Sequence, residues 1–475
     1  MNPLDLDQTL QLLCTGYTQA TRIKRTLGWP QEQWRPGKPL KLLLAGYNGA
    51  RNTGADVRVS EIVRQLQHLL GQSTDLTVTT LDPTLTADYF QGAKQVRLPH
   101  IFPQFLAREC PQHHGVIACE GSMFKSKFAD SLSTMMSAAL GLAAIEEKLS
   151  VGYGAEAGAM NASLQHFVRR QCQNSLILCR NQPSQTLLSQ QLRIRSTAGA
   201  DTAWTFEPDL PQRGVDLLKQ AGWDGTRPVL TLCPINPFWW PIKPSLRKFI
   251  HQGLTGKYRE QHYKSLYFHH HSATADRQYR TYIQGLAQAV NAFSQQRDIF
   301  TVVVGMERLD RRACYDLNAQ LSSPAPCFIS DQYTLHELVG ILRQSAFLVS
   351  SRFHAIVTSM PGLVPSVGVT MDERIRNLMS DRHHLDLLLE VDDPGLGEKL
   401  LPMLHRLDQD REAIAQRIAQ TVVRQLRLMG QMGRDFMGEV ARVYPDFPQI
   451  ERSPAWYAYL PPLSATTTQL LMQYA

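Results

Sequence analysis

The sequence predicts an α/β chain whose two parallel sheets face each other across a cleft. Three observations predict it. Short apolar runs alternate with segments of helical periodicity, the pattern of a parallel sheet covered by helices on both faces. The alternation pauses over 207–225, where Pro and Gly appear with little periodicity, and then restarts. At 475 residues the chain is long enough for two such units.

The elements follow in order. Residues 1–40 read as a polar, helical leader that ends at Pro36 and Pro39. A first unit, 41–215, opens on a buried strand at 41–46 and a Gly/Asn-rich loop at 47–56. A helix then carries Val59, Ile62, Val63, Leu66, Leu69 and Leu70 on one face and stops at Gly71. Further strands are expected at 76–81, 115–119 and 176–179. The second unit, 216–395, has strands at 229–233, 300–304, 347–349 and 365–369. Residues 396–441 read as helical. The tail to 475, with Pro445, Pro448, Pro454, Pro461 and Pro462, reads as an irregular segment wrapping the surface.

Composition narrows the function. Charged residues are 19% and hydrophobic residues 43%, as in a globular protein. The formal net charge of +7 suits anionic substrates or an acidic membrane surface. No basic stripe with interleaved aromatics argues for nucleic acid. Eight cysteines are scattered singly, the usage of a reduced compartment rather than a disulfide or zinc framework. Asp5 and Asp7 stand where a signal peptide would be basic, and no apolar run is long enough to span a bilayer. The run at 135–145 ends in Glu146-Glu147-Lys148 and reads as a core helix. These features predict a cytoplasmic protein, free or peripheral to the inner face of the membrane.

The most informative stretch is 347–369. A buried strand is followed by Ser351-Arg352-Phe353-His354, a short helix and a second apolar strand. Ligands of open α/β sheets sit beyond the carboxyl ends of the strands, and a helix N-terminus there favours anions. A cation and an acid/base group at such a place suit a small carboxylate or phosphate that needs a proton. The plainer reading is a buried pair that satisfies helix-terminal backbone groups.

Three stretches resemble the polysaccharide pyruvyl transferase family. They are Gly46-Tyr-Asn-Gly-Ala-Arg-Asn-Thr-Gly-Ala-Asp56; Gly115-Val-Ile-Ala-Cys-Glu-Gly-Ser122 with Leu149-Ser-Val-Gly-Tyr-Gly154; and Leu338 to Met379, with its Ser-Arg-x-His unit, Val364-Pro365 and Met371-Asp-Glu-Arg-Ile375. Cys179-Arg180 with Ser184 is similar to the family's arginine-containing segment. The resemblance implies two Rossmann-like domains in a GT-B-like arrangement, with the acceptor on the N-terminal side and phosphoenolpyruvate on the C-terminal side. It implies pyruvate transfer, as a ketal, onto a sugar of a surface or extracellular polysaccharide precursor. The acceptor would be a saccharide, free or lipid-linked, and no cofactor or metal is needed. The sequence departs from the family pattern where Ala55 separates Gly54 from Asp56, and at 238–276, which holds Trp239, Trp240 and His269-His270-His271.

On this reading His354 is the general acid, because histidine exchanges protons near neutral pH. Arg352 clamps the donor and Arg180 is a second clamp from the opposite domain, because a guanidinium fork binds carboxylate and phosphate bidentately. Cleft or acceptor candidates are Gly46, Asn48, Asn52, Asp56, Glu120, Ser122 and Glu373. For several of these a structural reading competes: Asp56 as a helix N-cap, Glu120 as a structural carboxylate, Ser122 as a cap, and Glu373 in an ion pair with Arg374 on a solvated turn. Adjacent histidines do not easily converge on one metal ion, so 269–271 reads as a flexible loop. Trp239-Trp240 reads as a sugar-stacking platform or as core. The alternatives to pyruvyl transfer are a nucleotide-sugar glycosyltransferase of the same architecture and a non-catalytic sugar-phosphate binding protein.

Overall fold

A computed structural model describes residues 6–264, 266–448 and 452–474. Its first sheet is built from β1 (Leu40–Asn48), β2 (Thr74–Thr80), β3 (Ala93–Arg97), β4 (Gly115–Ala118), β5 (Leu149–Ala155), β6 (Leu176–Cys179) and β7 (Ser196–Ala198). The order is β3-β2-β1-β4-β5-β6-β7 and every pairing is parallel. The central strands are fully buried apolar runs, as a sheet covered on both faces requires.

The second sheet comprises β8 (Val229–Cys233), β12 (Phe300–Gly305), β13 (Cys327–Ile329), β14 (Phe347–Ser350), β15 (Ser366–Thr370) and β16 (Leu388–Glu390). It is also parallel, in the order β13-β12-β8-β14-β15-β16. Between β8 and β12 an antiparallel ribbon intervenes, with β9 (Lys243–Pro244), β10 (His262–Lys264) and β11 (Tyr267–Phe268) in the order β10-β11-β9. The order reversal falls at β1/β4 in the first sheet and at β8/β14 in the second, the switch points that place a crevice beyond the carboxyl ends of the strands.

Two pieces of chain tie the units together. The helix Arg411–Val443 leaves the second unit and packs on the first, where Phe436 meets Tyr153 and Tyr444 donates to the carbonyl of His114. The tail does not stay irregular. After a short turn at Trp456–Tyr459 it ends in the helix Ala465–Tyr474, and the side chain of Gln65 donates to the carbonyl of Tyr459 at 2.9 Å. The leader forms the helix Leu6–Thr26, with Leu10 and Cys14 buried against the first unit.

Two boundaries differ from expectation and matter for the site. Strand β1 runs to Asn48 rather than ending at Gly46. The next helix starts at Thr53, four residues before the apolar periodicity begins, because Asn52 caps it by accepting from the amide of Ala55 at 3.2 Å.

Candidate active site

The crevice between the sheets holds a cavity of about 170 Å³. The starts of the helices Thr53–Leu70, Asp130–Ile145 and Glu373–Asp381 all contribute to its wall, through Asn52, Gly54 and Ala55, through Ala129, Ser131 and Leu132, and through Arg374. Three helix N-termini therefore bring their positive dipole ends to one small space. The junction of β14 with the helix Phe353–Ser359 supplies Ser351, Arg352, Phe353 and His354. The units meet at the rim, where the amide of Thr53 donates to the carbonyl of Met306 at 2.8 Å and the hydroxyl of Ser330 donates to the carbonyl of Arg51 at 2.7 Å.

His354 crosses from its own unit to the other. Its Nε2 lies 3.4 Å from Asp201 Oδ2, and its Nδ1 faces Gly54. A Cβ on Gly54 would lie 2.2 Å from Nδ1, so only glycine lets the ring stand there. Asp201 is buried and also receives Arg58 Nε at 3.0 Å and Arg180 Nη1 at 2.8 Å. It caps its own turn by accepting from the amide of Ala203 at 3.0 Å, which fixes the carboxylate. Burial opposes its charge, but Arg58, His354 and Arg180 hold its pKa well below the usual carboxylate value. As a carboxylate it can only accept, so His354 Nε2 carries the hydrogen and Nδ1 is the nitrogen open to a proton. Burial pulls His354 down to about 4, against the pull of Asp201. The imidazole is thus neutral at pH 7.

The network continues inward. Arg180 pairs with Glu156, and its guanidinium stacks 4.6 Å from the ring of Phe353. Glu156 lies 3.6 Å from Lys125, which reaches across to Glu373 of the second unit at 2.8 Å. Arg352 turns the other way. Its Nε donates to Asp310 Oδ2 at 2.8 Å, and Nη2 reaches Glu307 at 2.9 Å. Burial raises the Asp310 carboxyl to about 6 despite Arg352.

The predicted residues therefore divide. His354, Arg352, Arg180, Asn52, Glu120 and Ser122 line the cavity. Gly46 and Asn48 do not, because the longer β1 keeps both inside the sheet; Asn48 is buried and its amide donates to the carbonyl of Thr79 at 3.1 Å. Asp56 is not the N-cap. It sits buried inside the first turn with neither carboxylate oxygen in a full hydrogen bond, and burial raises it to about 8. Glu120 is also raised by burial. Ser122 caps no helix, since the next one begins at Asp130. Glu373 is drawn out of the cavity by Lys125, while Arg374 pairs with Asp372 and lines the wall. The expected Glu373–Arg374 pair is replaced by these two. In the ribbon segment, His269 is buried and stacked 4.4 Å from Trp239, and His271 faces Asp276, so the histidines diverge. Trp240 packs edge-on against Phe128 and lines the cavity.

Sequence reasoning did not find Asp201, Arg58, Glu156, Lys125, Glu307, Asp310 or Arg374 as site residues. Glu307 and Asp310 could have been found, since they directly follow the carboxyl end of β12. Asp201 and Arg58 carry no local signal. They become partners only through the fold.

Comparison with known proteins agrees with this geometry. HepE from Anabaena, solved with UDP and glucose, superposes at a TM-score of 0.53 with 12% identity, over 84% of this chain and all (100%) of that one. A glycosyltransferase from Rickettsia africae gives 0.50 with 9% identity, over 86% and 99%. UDP-GlcNAc 2-epimerase from Neisseria meningitidis gives 0.49 with 10% identity, over 80% and 94%. At such identities the likeness defines the fold alone: two Rossmann-like units in the GT-B-like arrangement. No curated protein is significantly similar in sequence. Residues 159–373 match the model of the polysaccharide pyruvyl transferase family, a stretch that runs from the end of the first unit through most of the second. Among the described residues no helix is long and apolar enough to cross a membrane.

Proposed function

We propose that the protein transfers pyruvate from phosphoenolpyruvate, as a ketal, onto a saccharide. The observation that carries this reading is the convergence of His354, Arg180, Arg374 and three helix N-termini on one small cavity. A compact, highly charged anion fits such a place.

The chemistry follows from the residues. Phosphoenolpyruvate seated beside His354 brings the negative charge that favours imidazolium, so the neutral ring gains a proton as the donor binds. Nδ1 then delivers that proton to C3 of the enol. C2 becomes electrophilic, two sugar hydroxyls add to it, and the C2–O bond to phosphate breaks. Of the two hydroxyl protons released, one restores His354 and one leaves with phosphate. Asp201 holds the ring and stabilises its charged form, as an orienting carboxylate does. Glu120, raised by burial, is the acceptor-side group placed to exchange a proton with a hydroxyl. Arg352 and Arg180 are the donor clamps, each oriented by two carboxylates, Asp310 and Glu307 for the first and Asp201 and Glu156 for the second.

The test is a calorimetric titration with phosphoenolpyruvate, and separately with nucleotide sugars, followed by phosphate release in the presence of candidate saccharides. His354→Gln is expected to keep donor affinity while losing turnover by about 10²–10⁴-fold. Normal turnover in that variant would end the mechanism. Selective binding of a nucleotide sugar would move the protein to the glycosyltransferase reading.

A further inference from the structure

The segment between β9 and β10 holds the helix Leu246–Thr255, which is mounted inside out. Its apolar residues share one face at helical spacing, and that face points to solvent: Leu246 is 63% exposed, Phe249 44%, Ile250 50% and Leu254 79%. No residue of the helix is buried. The polar side faces the protein, where Lys248 Nζ donates to Gln261 at 3.0 Å. A surface helix of a globular protein normally presents the reverse arrangement. Four large apolar side chains on one short helix need an occupant.

Charge identifies it. Lys243 and Arg247 stand at the start of the helix, and Lys257 and Arg259 just past its end, all exposed. Over 243–264 six Lys or Arg face one acidic residue, Glu260. An apolar face framed by cations is complementary to an anionic bilayer, where the side chains enter the acyl boundary and the cations meet headgroups. A second copy of the same face would bring like charges together. The helix also stands beside a large groove. Gln252 and Arg259 form one wall of a cavity of about 1190 Å³ whose other walls carry Arg51, Arg97 and Arg308, and which reaches Glu307 at the active-site crevice.

We infer that the helix Leu246–Thr255 is a membrane-docking element that seats this arginine-lined groove against an anionic bilayer. The inference stands apart from the donor chemistry, because its test reads binding without turnover. The measurement is co-sedimentation of the full chain with vesicles of phosphatidylcholine and phosphatidylglycerol in equal parts, and with vesicles of phosphatidylcholine alone. Wild type is expected to sediment with the anionic vesicles and to be released by salt. The double variant Phe249→Ser/Leu254→Ser should bind roughly 10-fold or more weakly. Arg247→Gln/Lys257→Gln should lose binding mainly at low salt. All four positions are exposed, so melting temperature should be unchanged and loss of fold is separable. Failure of wild type to sediment, or equal binding by the Ser variant, overturns the inference. So does self-association in light scattering that the Ser variant abolishes while no vesicle binding is seen, which would assign the face to a second copy.

Discussion

On the N-terminal wall of the crevice, Arg58, Arg180 and Lys125 face the carboxylates Asp201 and Glu156; on the C-terminal wall, Arg352 faces Glu307 and Asp310. With Glu120, the first wall sets three carboxylates against its three cations, and Lys125 also reaches Glu373 of the other unit. The second holds more carboxylate than cation, and burial lifts Asp310 to about 6. Both walls are the ends of parallel sheets built to one plan, yet their charge balances differ. His354, carried on the C-terminal unit, reaches over to Asp201 on the N-terminal wall.

The largest expected effect comes from breaking the better-balanced wall. Asp201→Ala leaves Arg58 and Arg180 buried without their shared carboxylate. It should cost about 3–5 kcal/mol of stability, measured by denaturant unfolding, and abolish turnover. Next is Gly54→Ala, whose Cβ would displace the His354 ring. A misplaced catalytic group typically costs about 10²-fold, so kcat of the folded enzyme should fall by that order, alongside a lowered melting temperature because the buried ring has to shift. A lowered melting temperature with kcat unchanged would mean that Gly54 matters only for packing. At Asp56 the expected effect is set by pH. Its carboxyl is raised to about 8 in the folded protein, so the unfolded chain ionises first as pH rises. Its contribution is fully present below about pH 4 and is lost progressively up to pH 8. Asp56→Asn should remove that loss, giving a melting temperature advantage over wild type that grows from pH 4 to 8. A constant offset across that range would show that the carboxyl does not titrate there.

The same contrast explains what the sequence reveals. Central strands are legible because burial on both faces forces apolar runs such as Leu176-Ile-Leu-Cys179. The edge strands β3, β7, β13 and β16 are short or of mixed polarity, and the pattern does not disclose them. Loop ends are misread where capping overrides hydrophobic period, as at Asn52. Of the site, the Ser351–His354 unit is legible because it stands at a strand-to-helix junction. Its partners are not, because Asp201 lies 153 residues from His354 and meets it only when the units close. Asp310 is 42 residues from Arg352, and only topology, with the two following the strands that flank β8 in one sheet, brings them together.

The central claim is that His354 is neutral and takes up a proton when phosphoenolpyruvate binds. Titration calorimetry of phosphoenolpyruvate near pH 7, in two buffers of different ionisation enthalpy, tests it directly. Proton uptake approaching one per donor bound, absent in His354→Gln although that variant still binds, is the predicted result. Binding without proton uptake in wild type, or uptake that persists in His354→Gln, would contradict it.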